Sequence, residues 1–378
     1  MKEIRNIAIY FALTVLAMGC AKTELIPAPE REVSFVVAQF AQGTKAAEIT
    51  EFTSFSSKAF LHAEGINLNA DGTPLGGTPT FQDFFGASGE TITYAEGAWE
   101  PSHPYYWPKS PVSYINFVSW YANDGTSAIV PTTVTETDFE ITRTIGANDN
   151  ILIADEAWRY RGNTANGTQY NGDLITNGVP TLFHHLLSKV EIKMGMTTAV
   201  DANNNTVTYE VVLQDAKLEG LYAAGTISLK NADPSTSGTR RAWWSTAAPT
   251  YLWTPTSGSD ADDLEFVTSN TNLSTTSSAI LAKRSFMPQL LGDDARLVLT
   301  YTITTKSNGV VTSSENDIPA SIVLNTIKKI NNEPIVDWQP NVEYTYNILV
   351  NPISKEILLE PTVASEWGFA DDINVTVE

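Results

Sequence analysis

A single cysteine, Cys20, stands among 378 residues, so no thiol pair within the chain can form a disulfide. Stability therefore rests on a packed core. Charge is sparse and lopsided: 17% of residues are charged, with 23 Lys and Arg against 43 Asp and Glu, for a net −20. Phosphate binding needs clustered Lys and Arg, which excludes nucleic acid as a partner. Histidine is scarce, limited to His62, His103, His184 and His185. The adjacent His184 and His185 sit in an expected strand and point to opposite faces, so they do not share a metal. HExxH, GxSxG, P-loop and dinucleotide-binding motifs are missing. Nothing in the sequence supports catalysis or calls for a cofactor. Long Ala/Glu/Lys/Leu helical patterns are missing too, and after the first twenty residues no apolar run approaches the roughly 20 residues that span a bilayer.

What remains is apolar and β-prone. Hydrophobic residues make up 42% of the chain, enough for a sizeable core. Thr, Ser, Asn, Gly, Val, Ile and Tyr are plentiful, which favours strands joined by turns.

Residues 1–19 carry Lys2 and Arg5 ahead of an apolar run, Ile7 to Met18, the pattern of a signal peptide. The ending Leu-Ala-Met-Gly-Cys20 looks like a bacterial lipobox, although an ordinary secretory signal with an incidental cysteine is the alternative. Acyl chains on Cys20 would hold the protein to a membrane, at roughly 0.8 kcal/mol per buried methylene. Residues 21–32, with Pro27 and Pro29, form an extended tether that contains Arg31. A short strand is expected next, from Val33 to Phe40. Val33, Phe35 and Val37 lie on one face and Val36, Ala38 and Phe40 on the other, so both faces call for cover. Lys45 follows in the turn-like stretch Gln42-Gly43-Thr44-Lys45.

Further strands are expected at Phe52–Leu61, Val112–Tyr121, Phe139–Ile145, Asn150–Ala154, Val207–Leu213, Thr226–Leu229, Leu297–Thr304 and Tyr344–Val350, with more within residues 179–194. In two of them one apolar face is plain: Leu297, Leu299, Tyr301 and Ile303, and Tyr344, Tyr346, Ile348 and Val350. The chain ends on Ile373, Val375 and Val377, alternating with polar residues. Residues 159–178, rich in Asn and Gly, form an expected long loop and domain edge.

Trp107 in Tyr105-Tyr-Trp-Pro108, with Trp243, Trp244 and Trp253, offers either sugar-stacking surfaces or core packing. The carboxylate clusters at Asp260, Asp262 and Asp263, at Asp293-Asp294 and at Asp371-Asp372 read as solvated turns, and none has EF-hand spacing.

Taken together, several segments resemble the fimbrillin-like lipoproteins of Bacteroidales, the type V pilin superfamily. They are the lipobox at Cys20, the basic turn at Lys45, Tyr106-Trp-Pro108 before VSYINFVSWY, Asp149–Ala154 and Leu182–Val190. Gly220–Thr226, Phe286–Gln289 and Tyr344–Tyr346, with Trp367 beyond, complete the set. The resemblance implies an all-β protein of two tandem transthyretin-like β-sandwiches: signal peptide 1–19, lipidated leader 20–45, amino-terminal sandwich 46–178 and carboxy-terminal sandwich 179–378. It implies an outer-membrane, surface-exposed pilus subunit, anchored in lipid through Cys20 until a protease removes the first strand. A neighbouring pilin then fills the vacated groove. Carried onto this chain, the removable strand holds Val33, Phe35, Val37 and Phe40, and the cut follows Lys45. The family's usual cut follows arginine, and Arg31 precedes the strand. Ile373, Val375 and Val377 form the candidate donor strand. The alternative function is a surface lipoprotein that binds host or bacterial glycan or protein through exposed tryptophans.

Overall fold

The computed structural model describes residues 32–39, 52–62, 82–107, 114–135, 138–154, 157–160, 178–198, 206–230, 253–256 and 264–367. Cys20, Arg31, Phe40, Lys45, Trp243, Trp244, Ile373, Val375 and Val377 lie outside them.

The fold is nearly all β. In chain order the strands begin β1 (Phe35–Gln39), β2 (Ser54–His62), β3 (Gln82–Asp83), β4 (Glu90–Ala95), β5 (Ala98–Pro101) and β6 (Tyr114–Asn123). They continue β7 (Thr133–Val134), β8 (Asp138–Thr144), β9 (Asn150–Ala154), β10 (Ala157–Tyr160), β11 (Val179–His185) and β12 (Ser188–Met196). Next come β13 (Val207–Glu219), β14 (Ala224–Lys230), β15 (Trp253–Pro255), β16 (Leu264–Val267), β17 (Thr271–Leu273) and β18 (Ser278–Phe286). The last are β19 (Gln289–Leu290), β20 (Arg296–Ser307), β21 (Val310–Val323), β22 (Asp337–Trp338), β23 (Val342–Val350) and β24 (Ile357–Glu366). Among the described residues there is no α-helix, so no helix is long and apolar enough to cross a membrane.

The amino-terminal sheet runs β10-β6-β9-β11-β1-β5-β4-β2-β3, and an added pairing joins β6 to β2, the strands next to its two ends. Seven strands, β6, β9, β11, β1, β5, β4 and β2, thereby close into a ring. Alternation divides its residues cleanly. Phe55, Ala59, Ile115, Phe117, Leu152 and Phe183 fill the interior. Phe60, Val118, Trp120, Ile151 and Ile153 face out and meet Phe139, Ile141, Ile227 and Trp253 of the sheet β15-β14-β8-β7. The result is a sandwich-like layer built on the outside of a ring.

The remaining described strands form two facing sheets, β18-β12-β23-β24 and β16-β13-β20-β21, with β17 on β13, and a two-stranded sheet β19-β22. The core between the two facing sheets includes Leu297, Leu299, Tyr301 and Ile303 of β20 and Tyr344, Tyr346, Ile348 and Val350 of β23, all buried as their alternation predicts.

Residues 178 and 179, the expected boundary, fall at the start of β11, which pairs with β1 and β9 in the ring. Later still in the chain, β14 pairs with β8, and β15 with β14. Arg159 and Tyr160, expected in a loop, instead pair with Ile115 and Tyr114 in β10.

Candidate functional site

β1 lies in the ring between β11 and β5. On one side it runs parallel to β11, in register from Phe35 opposite Val179 to Gln39 opposite Phe183. On the other it meets β5 antiparallel at the one pair Phe35 and Trp99. Short backbone bonds hold its leading end: the Val33 amide donates to the Tyr105 carbonyl at 2.7 Å, and the Val179 amide to the Ser34 carbonyl at 2.7 Å. Glu32 bridges to Tyr106, whose hydroxyl donates to the Glu32 carboxylate at 3.1 Å.

The inward face is the expected one. Val33 and Phe35 are buried and Val37 is half-buried. Phe35 sits edge-on to Phe55 at 5.6 Å and to Phe117 at 5.8 Å, with Phe85 tilted at 6.4 Å. Such edge contacts place a ring's positive rim on its neighbour's face. The outward face corrects the expectation of cover on both sides: Val36 is 55% exposed. The reason lies in the ring, where a stave has one interior and one exterior face.

Gly178 sets the approach of β11 to β1. Its φ is +80°, and a Cβ there would lie 3.1 Å from Val36 Cγ2 and 3.2 Å from the Ser34 carbonyl oxygen. Only glycine takes that turn without strain while lying so close to β1.

A polar cluster around Glu90 reaches the start of β1 through Tyr105. Glu90 opens β4 and is buried; its carboxylate accepts bonds from the Ser102 hydroxyl, the Tyr105 hydroxyl at 2.8 Å and the Thr91 amide at 3.2 Å. His103 Nδ1 lies 3.2 Å away. Burial by itself pushes the Glu90 carboxyl up, but these hydrogen bonds outweigh it and hold the group below its ordinary range. The same tyrosine supplies the carbonyl that holds Val33 and packs its ring on Phe85 at 4.7 Å. Glu90 thus positions Tyr105, and Tyr105 positions the start of β1. The aromatic spelling around Tyr105 was visible in sequence, but no pattern marked Glu90 as its partner.

Of the two readings open for the tryptophans, sugar stacking or core packing, Trp107 and Trp253 take core packing. Trp107 is buried against Phe117 at 5.9 Å. Trp253 is buried in the layer outside the ring, its indole N–H donating to the Leu186 carbonyl at 2.8 Å. Buried as they are, neither residue offers an exposed stacking platform. His184 and His185 are buried as well. His185 stacks flat on Trp367, centroids 4.1 Å apart, and its Nδ1 lies 3.0 Å from Asn150 Oδ1.

The profile of the fimbrillin-like family matches residues 68–367, well over half of the chain. No curated protein matches the chain. Among solved structures, a fimbrial protein from Bacteroides vulgatus is similar, with a TM-score of 0.50 and 15% identity over 89% of this chain and 99% of that one. A fimbrial assembly protein from Parabacteroides distasonis aligns over 88% of this chain and 99% of its own, with 11% identity and a TM-score of 0.37.

Proposed function

The chain belongs to the fimbrillin-like family, and from that premise we propose that it is a structural, non-enzymatic subunit of a surface pilus whose β1 is a removable stave. The observation that carries this reading is the closure of the ring through β1. Taking β1 away would leave β11 with a bare edge facing β5 and an apolar slot where Val33 and Phe35 now sit. An unpaired edge beside an apolar slot is the substrate of β-strand addition: backbone bonds supply affinity and side-chain pockets supply register. Groove and donor lie at different places on each subunit, so the contact does not close and a filament grows.

In this account Cys20 carries lipid, which delivers the subunit to the outer membrane and keeps it at the surface. A protease cuts after Lys45, between β1 and β2, and frees the stave. A cut after Arg31 would release the tether and leave the slot filled. Before cutting, β1 shields the slot, which prevents premature assembly. The partners are other pilin subunits, membrane lipid and the processing protease.

The test is a Lys45→Ala variant expressed in its native host. The variant is expected to stay lipidated and monomeric while the parent forms fibres. Fibres from the variant equal to those of the parent would overturn the assignment of Lys45.

A further inference from the structure

We infer that the seat of β1 selects an incoming strand with a phenyl-sized apolar side chain at the position of Phe35, and so accepts a strand from a different subunit in preference to Ile373–Val377 of a second copy. This rests on the strand-replacement reading above.

The geometry around Phe35 carries the inference. Its ring is 4% exposed and lies between Phe55, Phe85 and Phe117, at centroid distances of 5.6, 6.4 and 5.8 Å. A valine or isoleucine in that place leaves a void beside Phe55 of β2 and Phe117 of β6, which belong to a closed set of strands and cannot fully collapse onto it. A tyrosine would bring a hydroxyl among three phenyl groups that offer it no acceptor. The flanking positions are less demanding, since Val33 and the half-buried Val37 are aliphatic. The matching strand has the pattern aliphatic, any, phenyl, any, aliphatic, and runs parallel to β11.

The segment Ile373-Asn-Val-Thr-Val377 presents Ile, Val and Val in that phase, with valine at the centre. Phe369 is the aromatic residue just before it, but a register that puts Phe369 in the seat fails at both neighbours. It sets Asp371 at the place of Val37, against the apolar lining. It also asks Trp367 to take the place of Val33, and Trp367 is committed elsewhere. Its indole is buried, stacked on His185 at 4.1 Å, with Lys189 Nζ 4.5 Å from the ring centroid and its own amide donating to the Asn341 carbonyl at 3.0 Å.

The experiment starts from the folded full chain with a site for a sequence-specific protease placed within residues 41–45. Cutting there after folding leaves β1 held without a covalent link. Four labelled peptides then compete for the seat: the Glu32–Phe40 sequence, the same with Phe35→Val, the Asp371–Glu378 sequence, and the same with Val375→Phe. The expected result is that Phe35→Val weakens its peptide by roughly tenfold or more and that Val375→Phe strengthens the other by a similar factor. If the Glu32–Phe40 peptide exchanges but all four bind alike, the selectivity is overturned and strand replacement stands. If even the Glu32–Phe40 peptide does not exchange, both are overturned.

Discussion

Phe35 meets Phe117 edge to face, ring centroids 5.8 Å apart and planes at 85°. One residue belongs to β1, the other to β6, so this contact ties β1 to another strand of the same ring. Phe35→Ala should destabilise the protein by about 3–5 kcal/mol through the cavity it leaves. Val36→Ala, on the exposed side of the same strand, should stay within about 0.5 kcal/mol. Urea unfolding of both variants checks the contrast, and equal losses would mean that β1 is not seated by its inner face.

Gly178 should tolerate no side chain. With φ at +80° and a would-be Cβ 3.1 Å from Val36, Gly178→Val is expected to cost about 1–3 kcal/mol and to push β11 away from β1. Amide exchange would show it as faster exchange at Val179, whose N–H is bonded to Ser34.

Acid should loosen the start of β1. The folded Glu90 carboxyl titrates below its ordinary value of 4.5. Its contribution is therefore complete above that unfolded value and is lost as pH falls through the lower folded one. The protection factor of the Val33 amide, bonded to the Tyr105 carbonyl, should fall over that window. A Glu90→Gln variant should show no such acid step, and an unchanged step would assign it to another group.

Much of the strand pattern was legible. Asn150–Ala154 is β9 as expected, and the inward faces of β20 and β23 followed from simple alternation. The inward face of β1 was legible for the same reason. The ring was not, because parallel pairing of residue 35 with residue 179 depends on a distant partner that no local pattern names. β21 was missed because it is exposed along most of its length and its Thr-Ser-Ser-Glu-Asn-Asp sequence shows no apolar period. A signal was there to be used: Asn308-Gly309, with φ of +48° and +80°, forms the tight turn that pairs β20 with β21. Tryptophan left two readings open because composition says nothing of burial, and Trp107 and Trp253 take the core-packing one.

Trp367 should be a structural pin. It follows β24 and stacks on His185 of β11, tying the end of the described chain to the ring. Trp367→Ala is expected to cost about 3–5 kcal/mol, whereas Lys189→Met, which keeps the packing and removes the charge over the indole, should cost about 0.5–1 kcal/mol. Thermal unfolding of the two variants separates packing from charge, and a small effect of Trp367→Ala would contradict the pin.

The central claim, that β1 is removed and its seat refilled, is tested most directly by the amino-terminal residue of subunits recovered from purified fibres. The account predicts that fibre subunits begin at Ala46, having lost both Cys20 and β1. Fibre subunits that begin at acylated Cys20, or at Glu32 with β1 still attached, would contradict it.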